Sequence, residues 1–499
     1  MEACKTPTSS AACDDTEKCS QSSSDSFAKV ESGKLEFAFG DPRNCGITLH
    51  YFTQGFVVGG IDSILVNVLA GYLNVPSNIQ QGAVNMANLP CAFAVLLGIL
   101  SDARPIFGYR RRPYMAGGWL LSAACFAYMV WLGLPAPYYC FAEGQYLRNQ
   151  TPCNPDAADF YVWPIVCLCL SQLGMTAATA SAQGLLVEYA KAEPEKTRGR
   201  TQALLQMVGT AGSFCAVVLV AFGFNGQMFT GSFSQRHQLS YPEFLAIFAV
   251  LQCIAGLSCI FCVREHSGAR ASVREYARSS FHLLENKAFS AVALYFFANS
   301  SLFNIATSAG LWVSLEWAKV ENMQRQLSSL FGMLLTLLGC WLTQRCLLGV
   351  SWRKILFGAC IFTNVLDMFP QFMTIFDIVR DQYFYLGEPL TRNVPIAMSN
   401  LVTQFLVNEL ADEKNCALVV GLLTTIGAVG QPLSVLLSNQ LFSLFTPDLF
   451  LRENYVKDTP AFRWTVASSF LLSYSVSFLG MAMLPLLPSQ KLGPRKLSL

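Results

Sequence analysis

Twelve mostly apolar stretches, each about 20 residues long, follow one another along the chain, and that length is what a helix needs to cross a hydrocarbon core. In the first half they fall at roughly 48–72, 82–101, 113–135, 161–187, 202–224 and 243–263. In the second half they fall at roughly 289–313, 327–344, 355–376, 388–410, 416–443 and 464–487. The fold class that follows is an all-α membrane protein with twelve transmembrane helices in two bundles of six. Hydrophobic residues are 53% and charged residues 13% of the chain, where soluble domains carry about 25% charged residues. A net charge of +2 without a clustered basic surface argues against a nucleic-acid partner.

The 34 Lys and Arg divide unevenly. With the amino terminus cytosolic, 25 fall in cytosolic segments and nine in outer ones: Arg148, Arg236, Lys319, Arg325, Arg380, Arg392, Arg452, Lys457 and Arg463. Cationic residues gather on the cytosolic side of short loops, so both tails are expected inside, at the plasma membrane. Five domains follow: a disordered cytosolic tail over 1–47, a six-helix bundle over 48–263, a cytosolic linker helix over 264–288, a second bundle over 289–487 and a tail over 488–499. In the linker, Arg270, Arg274 and Arg278 recur every four residues on one helix face.

Of 18 cysteines, Cys140 and Cys153 fall in an outer loop, where they are either an oxidised pair or two free thiols. The same loop holds the sequon Asn149-Gln150-Thr151. Asn149 is therefore a candidate glycosylation site, although the Pro152 that follows argues against modification.

The densest basic segment is GILSDARPIFGYRRRPY, residues 98–114. Gly98 lets helices approach, Asp102 ends or bridges one, and Pro105 with Gly108 turns the chain within a few residues. Arg110, Arg111 and Arg112 then face lipid phosphates or helix ends in the other half, contacts that one conformation makes and another breaks. A weaker echo follows the eighth span, where Gly339, Thr343 and Gly349 repeat the spacing of Gly98, Asp102 and Gly108 at an offset of 241 residues. Two like halves with a site between them is a common design of secondary transporters.

Polar side chains inside the spans are the remaining candidates. Asp62 lies mid-span, where a carboxylate costs about 2.5–3.5 kcal/mol and must face a cavity or a partner. Gly55 and Gly59 on the same helix permit close packing. Asp367, flanked by Asn364 and Pro370, is a parallel case in the ninth span. Asp377, Arg380 and Glu388 surround an aromatic run at the outer end of spans nine and ten, and either form a site or are solvated. Gln183 lies in span four. The four histidines are scattered, and zinc-type spacing, a phosphate loop and a nucleophile elbow are all missing from the sequence. An enzyme, a metal site and a cofactor are accordingly not expected.

The segment SDARPIFGYRRRPY resembles the hairpin signature of the folate-biopterin transporter family, a branch of the major facilitator superfamily, with members from oomycetes and kinetoplastids nearest in pattern. GLLVEYAKAEPEKTRGRTQ (184–202) and DIVRDQYFYLGEP (377–389) resemble two further family stretches. The resemblance implies a major facilitator fold, alternating access, a pteridine or folate as solute, and proton coupling. It assigns Asp102, Gly108, Arg110 and Arg111 to a gate and Asp377, Arg380 and Glu388 to a polar stretch. Gln183 stands where family members often carry Asp, which puts substrate and coupling in question.

A pterin presents a paired donor edge that one carboxylate accepts, and the glutamate tail of folate suits an arginine. Asp62 or Asp367 would take the ring and Arg380 the tail. The first expectation is a monomeric, proton-linked pteridine symporter. The alternatives are a non-transporting pterin receptor, or a carrier of a nucleoside or adenosylated metabolite.

Overall fold

The computed structural model describes residues 41–487 apart from 143, 148–149, 193–199, 230, 232, 234–237, 266–272, 344–345, 347–349 and 411–415. Both predicted tails, the sequon residue Asn149, Arg270 and Gly349 lie outside the described residues or largely so.

The first half is built from α1 (Cys45–Tyr72), α2 (Ser77–Ala103), α3 (Arg112–Leu132), α4 (Val162–Ala192), α5 (Arg200–Gly223) and α6 (Tyr241–Phe261). A short helix α7 (Val273–Glu285) lies in the linker, with Arg274 and Arg278 exposed. The seventh span is broken into α8 (Lys287–Ala298) and α9 (Ala309–Trp312), each continued by a π turn. Then come α10 (Asn322–Leu342), α11 (Trp352–Ile375), α12 (Gln382–Leu410), α13 (Cys416–Phe442), a short α14 (Arg452–Lys457) and α15 (Pro460–Gly480).

Among the described residues nine of these helices are long and apolar enough to cross a membrane. With the broken seventh span, α10 and α12 added, the described helices are consistent with the twelve crossings expected. The seventh is interrupted between Ala298 and Ala309. Here the charge count needs correcting. Arg325, assigned to an outer loop, sits inside α10, and Arg392 sits inside α12. The Arg325 guanidinium is sealed inside the protein, and Arg392 lies 3.5 Å from Asp367.

The start of α12 also differs from expectation. QYFYLGEP has too little hydropathy to look like a span, yet it is helical from Gln382, six residues earlier than the expected 388. The reason is a cap: the Asp381 carboxylate accepts from the amides of Tyr383 (2.9 Å) and Phe384 (3.0 Å). Ser240 with Glu243 at α6, and Thr459 at α15, start their helices in the same way.

Within the first half α1 lies along α5, and α3 packs on α4 and α6. At Gly55 a Cβ would overlap the carbonyl of Gly209, so only glycine lets α1 and α5 come this close. The rings of Phe126, Phe244 and Phe56 pack around Phe248, stacked at Phe126 and tilted at the other two, and fill the bundle interior. In the second half α12 packs on α10 and α11. The halves meet along two seams, α5 with α10 and α2 with α13.

The two halves repeat one another most closely where their first spans end. At the end of α1, Leu73 N–H donates to Val68 O (3.0 Å) and Val75 N–H to Leu69 O (2.9 Å). At the end of the seventh span, Ala318 donates to Val313 O and Val320 to Ser314 O, both at 2.9 Å. Asn74 (φ 53°) and Lys319 (φ 54°) share the left-handed conformation, uncommon outside glycine. Each of these pairs is offset by 245 residues, as 318 is from 73. The sequence spacing gave 241, one helical turn less, so the glycine pattern and the structural repeat are not in the same register.

Candidate functional site

The hairpin between α2 and α3 turns on Phe107 and Gly108, both with positive φ (53° and 81°), the backbone of a two-residue reverse turn. Ile106 and Tyr109 close it with hydrogen bonds of 2.9 and 3.0 Å. Arg111 lies 3.5 Å from Asp102 and packs across Gly184 of α4, where a Cβ would fall 2.8 Å from its Nε. Gln183 is next to that glycine and exposed.

An acid that sequence reasoning did not single out holds this hairpin. Glu265, just beyond α6, accepts from the backbone amides of Arg110 (2.9 Å), Arg111 (2.9 Å) and Arg112 (3.0 Å). These are the free amides at the start of α3, a favourable place for a carboxylate. Nothing in local spacing links position 265 to position 110.

The expectation that the arginines reach the other half needs correcting for this conformation. Arg112 donates to the Ile260 carbonyl at the end of α6. Arg353, in the second hairpin, does the same at the end of the last span, to Pro485 O at 2.8 Å and, through Nε, to Leu487 O at 2.8 Å. A cation at a helix carboxyl end is stabilising. Each hairpin thus ties its own bundle.

Asp367 is the centre of a polar cluster inside the second half. Its Oδ2 accepts from Tyr474 (2.7 Å) on α15, and its Oδ1 lies 3.5 Å from Arg392 on α12 and 3.3 Å from Gln371 one turn on. Gln371 in turn meets the Tyr385 hydroxyl at 3.1 Å. Asn364, expected beside Asp367, instead donates to Cys360 O (2.9 Å). Of this cluster the sequence pointed only to Asp367, because its partners come from three helices.

Asp377 and Arg380 are not brought to the centre. They stand at the end of the molecule that carries the Cys140–Cys153 disulfide. There Arg380 pairs with Asp458 (2.6 Å) and Asp377 (3.1 Å), and Arg463 pairs with Asp458 (2.8 Å) and Asp377 (3.2 Å). Arg380 also lies over Trp317. The tail-binding role expected of Arg380 is therefore spent on a clamp between the start of α12 and the start of α15. Glu388 falls on α12.

Burial raises the Asp458 carboxyl, but hydrogen bonds and charge from Arg380 and Arg463 outweigh it and leave it below the usual carboxylate range. A depressed pKa stabilises the fold fully above the unfolded value, about 3.9, and that contribution is lost as pH falls through the folded value. Thermal unfolding followed against pH should show an acid limb that is flatter in Asp458→Asn than in the wild type.

Asp62 is exposed, and among the described residues nothing bonds to it. Its position is at the seam. The carbonyl of the next residue, Ser63, accepts from Gln326 of α10 at 3.1 Å. Three more links between the halves lie toward the disulfide end: Ser77 Oγ to Ser308 Oγ (3.1 Å), Ser77 N–H to Phe450 O (3.3 Å), and Asn322 to Asn225 Oδ1 (3.2 Å). These contacts follow the internal repeat, since Ser63 and Ser308, and Ser77 and Asn322, are each 245 apart.

Comparison with known proteins bears on this hairpin directly. Residues 59–137 match the BT1 family. The resemblance to folate-biopterin transporters holds. The matched segment contains Asp62, Gly98, Asp102, Gly108, Arg110 and Arg111. A curated relative, "Probable folate-biopterin transporter 7" of Arabidopsis thaliana, is 22% identical over 308 residues, 61% of this chain. The match spans 63% of that relative's length.

Solved structures similar to the chain include the nucleoside transporter NupG (TM-score 0.56, 13% identity, 88% of this chain and 98% of that one). The D-xylose-proton symporter is similar to the same degree (0.56, 14%, 89% and 97%). So is a bacterial homologue of the lysosomal transporter Spinster, inward-facing and occupied (0.56, 12%, 89% and 95%). At such identities they show the fold alone, a helical fold of major facilitator type, and the nine candidate spans among the described residues make the chain an integral multi-pass membrane protein.

Proposed function

We propose that the chain is a secondary active transporter that moves a pteridine-like solute, folate or biopterin, by alternating access coupled to protons. The observation that carries this reading is Asp62: an unpartnered carboxylate beside the Ser63–Gln326 link, inside the family-matched segment. A mid-membrane carboxylate at a seam between halves is suited to accept a donor edge or a proton and release it when the halves part. The relative named for folate and biopterin favours this cargo class, and the transporters sharing the fold favour this mode of action.

On this reading the bundles over 48–263 and 289–487 rock about the seam, both termini are cytosolic, and the plasma membrane is the site of action of a monomer. Asp102 and Arg111 latch the inner side with Gly98, Gly108 and Arg110. Gln183 and Asp367 belong to the polar lining, with Asp367 the second candidate for the ring.

Uptake of labelled folate, biopterin and a nucleoside into proteoliposomes, with and without a pH gradient, tests this. Accumulation of a pterin driven by inward proton flow is the expected result. Flux of the nucleoside alone would overturn the cargo, and saturable pterin binding without flux would favour a receptor.

A further inference from the structure

The polar links across the seam leave one side chain unexplained. Arg325 lies on α10 one turn from Asn322 and directly before Gln326, and both of those neighbours reach into the opposite half. Its two terminal guanidinium nitrogens are sealed from solvent and, among the described residues, neither has a hydrogen-bond partner. The Oε1 of Gln324 beside it is in the same condition. An arginine near a helix end normally extends toward the polar interface, and this one does not.

The internal repeat supplies a control. Gln80 occupies the matching place in the first half, 245 residues earlier, and it turns back to donate to the Val75 carbonyl at 2.5 Å. The matching carbonyl in the second half belongs to Val320, and Arg325 leaves it alone. The site is the same turn of the same repeated element, with a neutral, satisfied amide in one half and an unsatisfied cation in the other.

A buried guanidinium without a partner is among the costliest states of a side chain, so a partner must reach it in some stage of the protein's work. Apart from Asp62 across the seam, which is unpartnered among the described residues, the acids of the second half's ion pairs are engaged. Glu316 pairs with Arg452, Asp367 with Arg392 and Tyr474, and Asp377 and Asp458 with Arg380 and Arg463. Glu321 is exposed. Among the described residues, Tyr385 from α12 lies in electrostatic reach.

We infer that Arg325 receives an anionic group of the solute, a carboxylate, so that the cargo is bipolar, with hydrogen-bond donors turned to Asp62 and its acid turned to Arg325. The inference rests on the transport reading above and replaces Arg380 as the partner of the acidic tail. The planar fork of a guanidinium matches a carboxylate bidentately. Because the Ser63–Gln326 and Asn225–Asn322 links flank Arg325, the cation becomes accessible when the halves part at the disulfide end.

Binding of three probes to the purified full chain in nanodiscs tests this: biopterin, which has a pterin and no carboxylate; p-aminobenzoylglutamate, which has carboxylates and no pterin; and folate, which has both. The expected result is that Arg325→Gln weakens folate and p-aminobenzoylglutamate about ten- to hundredfold and leaves biopterin unchanged, with Arg325→Lys recovering part of the loss. Equal binding of the acids to wild type and Arg325→Gln, or no binding of either acid to the wild type, would overturn it. Arg325→Met without ligand should melt no lower than the wild type, since it removes an unpaired buried charge; a markedly lower melting point would make Arg325 a structural partner and overturn the inference. Arg325-dependent binding of the acids with no flux of any probe would sink the transport reading and leave the anion site standing.

Discussion

Asp62→Asn is expected to abolish proton-driven solute uptake, by at least about tenfold, while the amount of protein at the membrane stays as in the wild type. The substitution keeps the size of the side chain and removes only its charge and its capacity to carry a proton. No bond within the fold depends on it, because among the described residues nothing pairs with Asp62. Losing one charge-assisted hydrogen bond to a solute costs about 1.5–3 kcal/mol, which is a factor of about ten to a hundred. Uptake and its pH dependence measured beside surface labelling separate this from misfolding. Unchanged transport at unchanged pH dependence would remove Asp62 from the solute path.

Asp367→Ala is expected to act the other way, on the fold before the transport. The carboxylate is held by Tyr474, Gln371 and Arg392, and removing it leaves Arg392 without its counter-ion inside a span. Breaking a buried ion pair from one side costs about 3–5 kcal/mol. Asp367 is well buried but the Arg392 side chain is 40% exposed, so roughly 2–3 kcal/mol is the expectation for this pair. The double change Asp367→Leu with Arg392→Met removes both charges and should recover most of the melting temperature without recovering transport. If Asp367→Ala melts with the wild type, the cluster is not a structural element of the second bundle.

These two acids show what a sequence can and cannot convey. Both are visible because a carboxylate amid twenty apolar residues is costly. Their different roles are not, because the role depends on what other helices bring. Asp367 gains Arg392 from α12 and Tyr474 from α15, and Asp62 gains only the neighbourhood of Gln326. Arg325 falls outside the expected eighth span because hydropathy counts a cation against a span, whether or not protein surrounds it, whereas Arg392 lies within the expected tenth span and does not belong in the outer count. The Asp381 cap that starts α12 early was legible, as an acid just before an aromatic run.

The hairpin turns at Gly108, as its sequence suggests, with Phe107 rather than Pro105 beside it, and the Asp102–Arg111 contact is one that spacing did not specify. Glu265 was missed because its link to positions 110–112 exists only once α6 and α3 stand side by side. Arg380 was read as free for a ligand because its partners, Asp458 and Asp377, are assembled by the ends of two spans. The internal duplication was legible in outline only. Glycine spacing placed it one turn away from where the backbone hydrogen bonds and the left-handed residues Asn74 and Lys319 put it.

The account as a whole requires the halves to separate at the disulfide end during each cycle. Ser77 and Ser308 face each other there at 3.1 Å. Placing cysteines at both positions, in a chain whose free thiols are replaced while Cys140 and Cys153 are kept, allows that end to be locked by mild oxidation and released by a reductant. Solute flux into proteoliposomes should stop on oxidation and return on reduction. Full flux through the locked protein would contradict it.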